Sequence, residues 1–355
     1  MRGACGAVSS WGIAVAILIA AGSGAIAEAL SPPVVEGLWV RPSGVFPAQP
    51  VWGHAEGLRV GLWPMAGPRG LLRIYAPYLG HRDDRMINYI AVEPIVASGF
   101  RRGFSELERS VLDDEDGLRF WSTDSPGDPA PREPTSPARG VLSADGNVEI
   151  LAVYVFVEPY ANGARVYLQL TFRSDRPYEI GIATFTQEGS VPLAACVVTA
   201  TMGNYARLRL LHLREGPIHA GDLWPDFDGL GFAPRVCFPL EDLLTTPQGG
   251  ALFVAVPDEE DPAAAVYAPK TFIGWKYTGE VATQTWRHEN PPSELRGCVN
   301  ARSVYWASAS PIPGGISLEN FELVEPFREG SEVWFGVVPG HYASPQPLQR
   351  IVDGE

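Results

Sequence analysis

Familiar catalytic signatures are missing from this 355-residue chain. It contains no G-x-S-x-G elbow, no G-x-x-x-x-G-K-S/T phosphate loop, no H-E-x-x-H pair and no strand-linked G-x-G-x-x-G. Those absences argue against lipase, nucleotide-hydrolase, zincin and dinucleotide-enzyme chemistry. Cysteine is scarce, with four in all and no C-x-x-C pair, so neither a zinc knuckle nor a thioredoxin-type site is expected. Charge is also low at 19%, against 46% hydrophobic residues, which excludes a disordered tail. Basic clusters are lacking and the formal net charge is −14, so the surface repels phosphate backbones and nucleic acid is not an expected partner. After residue 27, Gly or Pro punctuates the chain at short intervals throughout. Helix interiors tolerate these residues poorly, at about 1 kcal/mol for Gly and 3 for Pro, so long helices are excluded.

The amino-terminal segment 1–27 has the pattern of a cleavable secretory leader. Arg2 precedes an apolar run from Trp11 to Ala21, and Ala25-Ile26-Ala27 fits the small-x-small cleavage pattern, placing the cut before Glu28. The run is shorter than the roughly 20 residues of a membrane helix, and no later stretch approaches that length. The expected product is a secreted, extracellular or periplasmic, bacterial-type protein without a membrane span. Losing Arg2 leaves 26 basic against 41 acidic residues, a charge of −15. An oxidising compartment makes a Cys237–Cys298 bridge plausible, since both lie beside Gly or Pro in expected turns, while Cys196 falls in an apolar run and reads as a small core residue.

The remaining pattern is that of strands. Arg165–Arg173 alternates, with Val166, Leu168, Leu170 and Phe172 on one side and Tyr167, Gln169 and Thr171 on the other. The β-branched and aromatic run 148–157 precedes it, and Asn162-Gly163 marks a hairpin between them. Further strands are predicted at 58–63, 71–76, 86–93, 118–121, 178–186, 193–201, 205–213, 251–256, 281–286, 302–306, 316–324 and 332–338. Short helices are expected at Ser105–Leu112, where Ser105 would cap and Glu108 follows at the third position, and at Leu240–Leu244. Five prolines make 122–139 an exposed loop. The predicted architecture is a single all-β domain over 28–355, a large antiparallel two-sheet β-sandwich of jelly-roll or super-sandwich type with at most short helices. Val-Glu-Pro recurs at 92–94, 157–159 and 324–326, unequally spaced, which fits strand-end chemistry rather than a repeat array.

Reactive side chains are densest from Arg73 to Glu108. Arg73, Tyr75, Asn88 and Ile90 are expected to line one concave face. Glu93 and Glu106 supply the two carboxylates of a glycoside hydrolase; His81 or a Tyr supplies the base of a polysaccharide lyase, with Asn88 and an Arg such as Arg102 neutralising a uronate. Asp83 and Asp84 lie in the same stretch. Ser105-Glu106-Leu107 is similar to the central strand motif of jelly-roll alginate lyases, but Phe104 and Glu108 stand where that motif has arginines and its Gln-Ile-His partner is missing. Trp63, Trp224 and Trp275 adjoin turn residues and are candidate stacking platforms for sugar rings. His212, His219, Asp222, Asp226 and Asp228 fit no familiar zinc spacing. The acidic runs 113–116 and 258–261 lack calcium-loop alternation and read as solvated turns, so the only cofactor considered is a structural calcium ion. The expected function is carbohydrate binding, with hydrolase or lyase activity. The alternative is a non-catalytic structural or protein-interaction module of the cell envelope.

Overall fold

The computed structural model describes residues 29–81, 86–306 and 308–342. The leader, Asp83 and Asp84 lie outside the described residues. The chain lays down strands in alternating blocks. The first six are β1 (Val34–Glu36), β2 (Trp39–Arg41), β3 (Val51–His54), β4 (Arg59–Gly61), β5 (Leu71–Tyr75) and β6 (Met86–Val96). They form a meander in the first sheet. The chain then builds the second sheet with β7 (Phe120–Thr123), β8 (Val141–Asp145), β9 (Val148–Val157), β10 (Val166–Arg173) and β11 (Glu179–Thr186). β12 (Leu193–Ala200) returns to the first sheet, β13 (Leu208–Leu213) and β14 (Gly216–His219) to the second, and β15 (Val236–Pro239) to the first again. Next, β16 (Leu244–Thr245), β17 (Ala251–Pro257) and β18 (Ala282–His288) extend the second sheet. β19 (Arg296–Arg302) and β20 (Ser317–Val324) extend the first, and β21 (Glu332–Pro339) closes in the second.

The ten-stranded sheet runs β1-β2-β3-β4-β5-β6-β12-β20-β19-β15. The eleven-stranded sheet runs β14-β13-β17-β18-β21-β11-β10-β9-β7, with β16 on β17 and β8 on β9. One buried core lies between them: alternate residues such as Val92, Val198 and Phe321 from the first sheet meet Leu170, Ile182 and Phe335 from the second. The fold is therefore the two-sheet antiparallel sandwich expected. The hairpin at Asn162-Gly163 joins β9 to β10, with Gly163 at φ +91° where a Cβ is disfavoured.

Local departures have physical causes. No helix forms at 105–112, because Ser105 turns its hydroxyl inward, donating to the Gly70 carbonyl at 2.6 Å and accepting the Val92 amide at 3.0 Å instead of capping. The segment 302–306 is not a strand: β19 ends at Arg302, and Val304 makes only an isolated bridge to Pro311. At 205–213 the strand starts only at Leu208, after a 3-10 turn over Gly203–Ala206. Leu240–Asp242 is likewise a 3-10 turn. The proline-rich loop is anchored on the first sheet, since Ala138 accepts the Trp52 indole N–H at 3.0 Å and Thr135 accepts the Ala48 amide at 2.8 Å.

The disulfide joins Cys237 on edge strand β15 to Cys298 directly opposite on β19, and Cys196 is the free cysteine among the described residues. Trp286 ties the layers together: fully buried, it packs on Phe335 at 5.0 Å and donates its indole N–H across the sandwich to the Phe321 carbonyl at 2.8 Å. Trp286→Ala is expected to cost about 3–5 kcal/mol in denaturant unfolding through the cavity and the orphaned carbonyl. A loss of under about 1 kcal/mol would contradict this inter-sheet role.

Candidate functional site

Strand parity decides which candidate residues meet. In β6, Asn88, Ile90 and Val92 point into the core, whereas Tyr89, Ala91 and Glu93 occupy the outer face of the ten-stranded sheet. Val197 pairs with Glu93, Thr199 two residues on pairs with Glu322 of β20, and Glu322 in turn faces Cys298. Glu93, Glu322 and the disulfide therefore share one face. Arg102 returns to this face after the tight turn 97–101 and bridges Ile95. Its guanidinium donates from Nε to Glu93 and pairs with Glu322 Oε2 at 3.1 Å, and Arg235, just before β15, holds the other oxygen of Glu322.

Glu106 lies within electrostatic reach of this cluster, acting on Glu93 and acted on by Arg102. Gly70, at φ +70°, lets Ser105 approach so closely that a Cβ there would lie 1.9 Å from the Ser105 carbonyl oxygen. Among the described residues, Glu106 Oε2 is buried without a hydrogen-bond partner. Burial pushes the Glu93 carboxyl up to about 8; Arg102 pulls the other way, while Glu106 and Glu322 push it further up. Burial likewise raises Glu106 to about 7, against its own backbone hydrogen bond and Arg102. The two carboxyls thus both titrate near neutrality, each drawn down by Arg102 and raised by burial. Glu93 is 3% exposed, whereas Phe104, over whose ring Arg102 lies at 5.9 Å, and Arg235 are half-exposed.

The other candidates are placed elsewhere. Arg73 pairs with Tyr89 on the outer face whereas Asn88 pairs with Ile74 on the inner one, so they do not line a common surface. Arg73 is fully buried and donates to the carbonyls of Ala66, Gly67, Pro68 and Leu71, clamping the loop before β5. Tyr75 is 2% exposed, its ring over Gly61. Asn88 spans the core, donating to Gln284 Oε1 at 2.7 Å and accepting the Met202 amide at 3.1 Å. His81 packs edge-on against Tyr277 at 4.7 Å beyond the other end of β6, seven residues or about 23 Å along the strand from Met86 to Glu93. It is not brought to the carboxylates. Trp63 is 38% exposed beneath Arg69, Trp275 is half-buried, and Trp224 is buried with its N–H on the Pro234 carbonyl.

The acidic runs lie largely exposed, as solvated turns, with surface ion pairs of Asp113 to Arg69, Asp114 to Arg109 and Asp258 to Arg209. Among the described residues no group of three or more His, Cys, Asp or Glu is arranged to hold a metal ion. The three Val-Glu-Pro glutamates serve three different places. Glu93 binds Arg102, buried Glu158 accepts the Val111 and Arg119 amides and the Ser110 hydroxyl, and Glu325 meets His288 and Arg328. His288 Nδ1 accepts the Asn290 amide, and its Nε2 lies 3.2 Å from Glu325 Oε2 and 3.3 Å from Ser331 Oγ. Sequence reasoning missed Glu322 and Arg235, which long-range pairing brings to Glu93; Glu322 reads in sequence as an ordinary outward strand position.

Two measurements test this geometry. Glu93 and Glu106 hold protons more tightly folded than unfolded, where a Glu titrates near 4.3. Their contribution to stability is complete below that value and is lost as pH rises through about 7 and 8. The denaturant midpoint should therefore fall from pH 5 to 8.5, and Glu106→Gln, neutral throughout, should flatten the decline; parallel curves would contradict the assignment. Gly70→Ala, strained at its positive φ and blocked by Ser105, should lose about 1–3 kcal/mol in the same assay. Among known proteins, the chain matches no family model, no curated sequence and no solved structure.

Proposed function

We propose that this is an exported carbohydrate-binding protein that hydrolyses a polysaccharide at the Glu93–Glu106 cluster. The observation that carries the proposal is the presence of two buried carboxyls, Glu93 and Glu106, both in the field of Arg102 and both raised by burial into the neutral range. A glycosidase needs one carboxyl that keeps its proton as general acid while a second, ionised, acts as base or nucleophile. Mutual repulsion supplies that division, since an ionised Glu106 raises the proton affinity of Glu93. Glu93, pushed up to about 8, is the group that keeps its proton for a leaving sugar oxygen. Glu106, at about 7 and with Oε2 lacking a hydrogen-bond partner among the described residues, ionises first and is the base or nucleophile. The lyase variant has less support, because His81 lies apart from the carboxylates.

A second reading, a non-catalytic interaction module, is favoured by one feature of the same segment: Phe100, Leu107 and Val111 are 75%, 61% and 75% exposed around the cluster. Depolymerisation of a polysaccharide panel, read as new reducing ends, separates the two. Glu106→Gln is expected to lower cleavage by about 10²–10⁴-fold with folding intact, and Glu93→Gln to act in the same direction. Full activity in both variants would sink the site, and silence of the unmodified protein across the panel would favour the interaction module.

A further inference from the structure

We propose that the connection between β17 and β18 is a membrane-surface anchor that inserts Phe272 and Ile273 into an anionic phospholipid bilayer, with Lys270 and Lys276 on the headgroup phosphates. This proposal is independent of the carboxylate cluster. β17 and β18 are paired antiparallel neighbours, yet the whole segment 258–281 connects them. A hairpin needs only about 2–5 residues, and loops beyond about 12–15 usually carry a function. The tip of this loop is apolar and open to solvent, with Phe272 58%, Ile273 66% and Val266 88% exposed.

The exposure does not come from a loose loop. Fully buried Arg207 holds the base, its Nε 2.8 Å from Glu259 Oε2 and its other nitrogens on the Tyr267 hydroxyl and the Pro262 carbonyl. The Tyr267 hydroxyl also accepts the Tyr277 amide at 2.8 Å. Trp275 lies flat on Tyr305 at 5.3 Å and 17°, and Tyr205 meets its edge at 5.9 Å. Phe272 and Ile273 thus project from a braced aromatic base, which lowers the entropy lost when they are buried against a partner.

Charge identifies the partner. The chain carries a formal charge of −14 and contains only two lysines, Lys270 and Lys276, one on each side of the tip. Lysine stems lie along apolar surface while their ammonium groups reach outward, the arrangement that lets flanking lysines meet phosphates around inserted apolar side chains. Of the loop's acidic residues, Asp258 pairs with Arg209 and Glu259 with Arg207, while Glu260, Asp261 and Glu280 stand at its two ends; the stretch 262–279 that carries the tip holds no acidic residue. The net negative charge elsewhere is screened beyond about 8 Å at physiological salt, so the local lysines dominate at contact. A second exposed apolar group, Phe100, Leu107 and Val111, lacks this match: its stretch 100–116 carries Arg101, Arg102 and Arg109 against Glu106, Glu108 and the acidic run 113–116, an excess of negative charge that an anionic surface would repel. Among the described residues no helix is long and apolar enough to cross a membrane, so the attachment is to the surface.

The test is co-sedimentation of the leader-processed chain with phosphatidylcholine vesicles containing or lacking phosphatidylglycerol, with circular dichroism to check the fold of each variant. Binding is expected to need phosphatidylglycerol and to weaken as salt rises. Each of Lys270→Gln and Lys276→Gln should weaken it about fivefold. The double variant Phe272→Ser, Ile273→Ser, at exposed positions that leave the core intact, should weaken it at least about tenfold. The proposal is overturned if the unmodified chain stays in the supernatant with anionic vesicles, if the double variant binds as well as the parent, or if binding ignores both phosphatidylglycerol and the lysines. Loss of polysaccharide binding in the tip variants without any vesicle binding would likewise overturn it, and would move the loop to the glycan.

Discussion

A shortage of backbone donors governs this molecule. Each of the 33 prolines keeps its carbonyl but has no amide hydrogen, so the loops hold more acceptors than their own backbone can satisfy. Arginine makes up the difference, because its planar fork carries five donors and no acceptor. Of 27 basic residues two are lysine, leaving 25 arginines. Many serve loops: Arg73 holds four carbonyls before β5, Arg41 holds those of Arg139 and Gly140, Arg209 those of Pro313 and Ile316, and Arg302 those of Leu230 and Val304. Arg73, Arg207 and Arg209 are fully buried as a result. A sandwich with so many turns closes its ends with guanidinium groups rather than with helices.

That use of arginine shapes both proposed surfaces. A guanidinium engaged by loop carbonyls or paired carboxylates is not free to meet a ligand, which moves Arg73 from substrate contact to scaffold. Arg102 and Arg235 instead meet buried carboxylates, and there supply falls short: Glu93 and Glu322 share Arg102, and Glu106 Oε2 has no hydrogen-bond partner among the described residues. Burial without full pairing favours the protonated acid, hence the raised proton affinity of Glu93 and Glu106. The same division of labour sets Lys270 and Lys276 apart, because in a chain that builds with arginine its two ammonium groups both flank one apolar tip.

Much of the architecture was legible in the chain. Alternation in β10, the β-branched and aromatic run of β9 and the Asn-Gly between them identified a hairpin, and the density of Gly and Pro excluded long helices. The short strands β1 to β4 were harder to read: three or four residues seldom show a period, and Gly53 and Gly61 blur it further. Helix chemistry at Ser105 misled because a serine hydroxyl serves a cap or a buried carbonyl equally well, and only the approach of Gly70 settles which. The two cysteines were expected in turns, but they lie in paired strands, Cys237 on β15 opposite Cys298 on β19 with Glu322 in the next strand, an arrangement that long-range pairing sets.

The site shows where the boundary falls. Glu93, Arg102 and Glu106 belong to one short stretch of chain, so local sequence was enough to nominate them. Arg73, Tyr75 and Asn88 were nominated by the same alternation and do not meet, because in a strand one residue of register moves a side chain to the other face of the sheet. Composition and periodicity determined that the chain forms an antiparallel sandwich with many turns, since those preferences act over a few residues. Which carboxylates lie together, which arginines remain for them and which loop projects bare were decided by strand order and register. These join positions from opposite ends of the chain, as when β12 brings Glu93 of β6 and Glu322 of β20 onto one face.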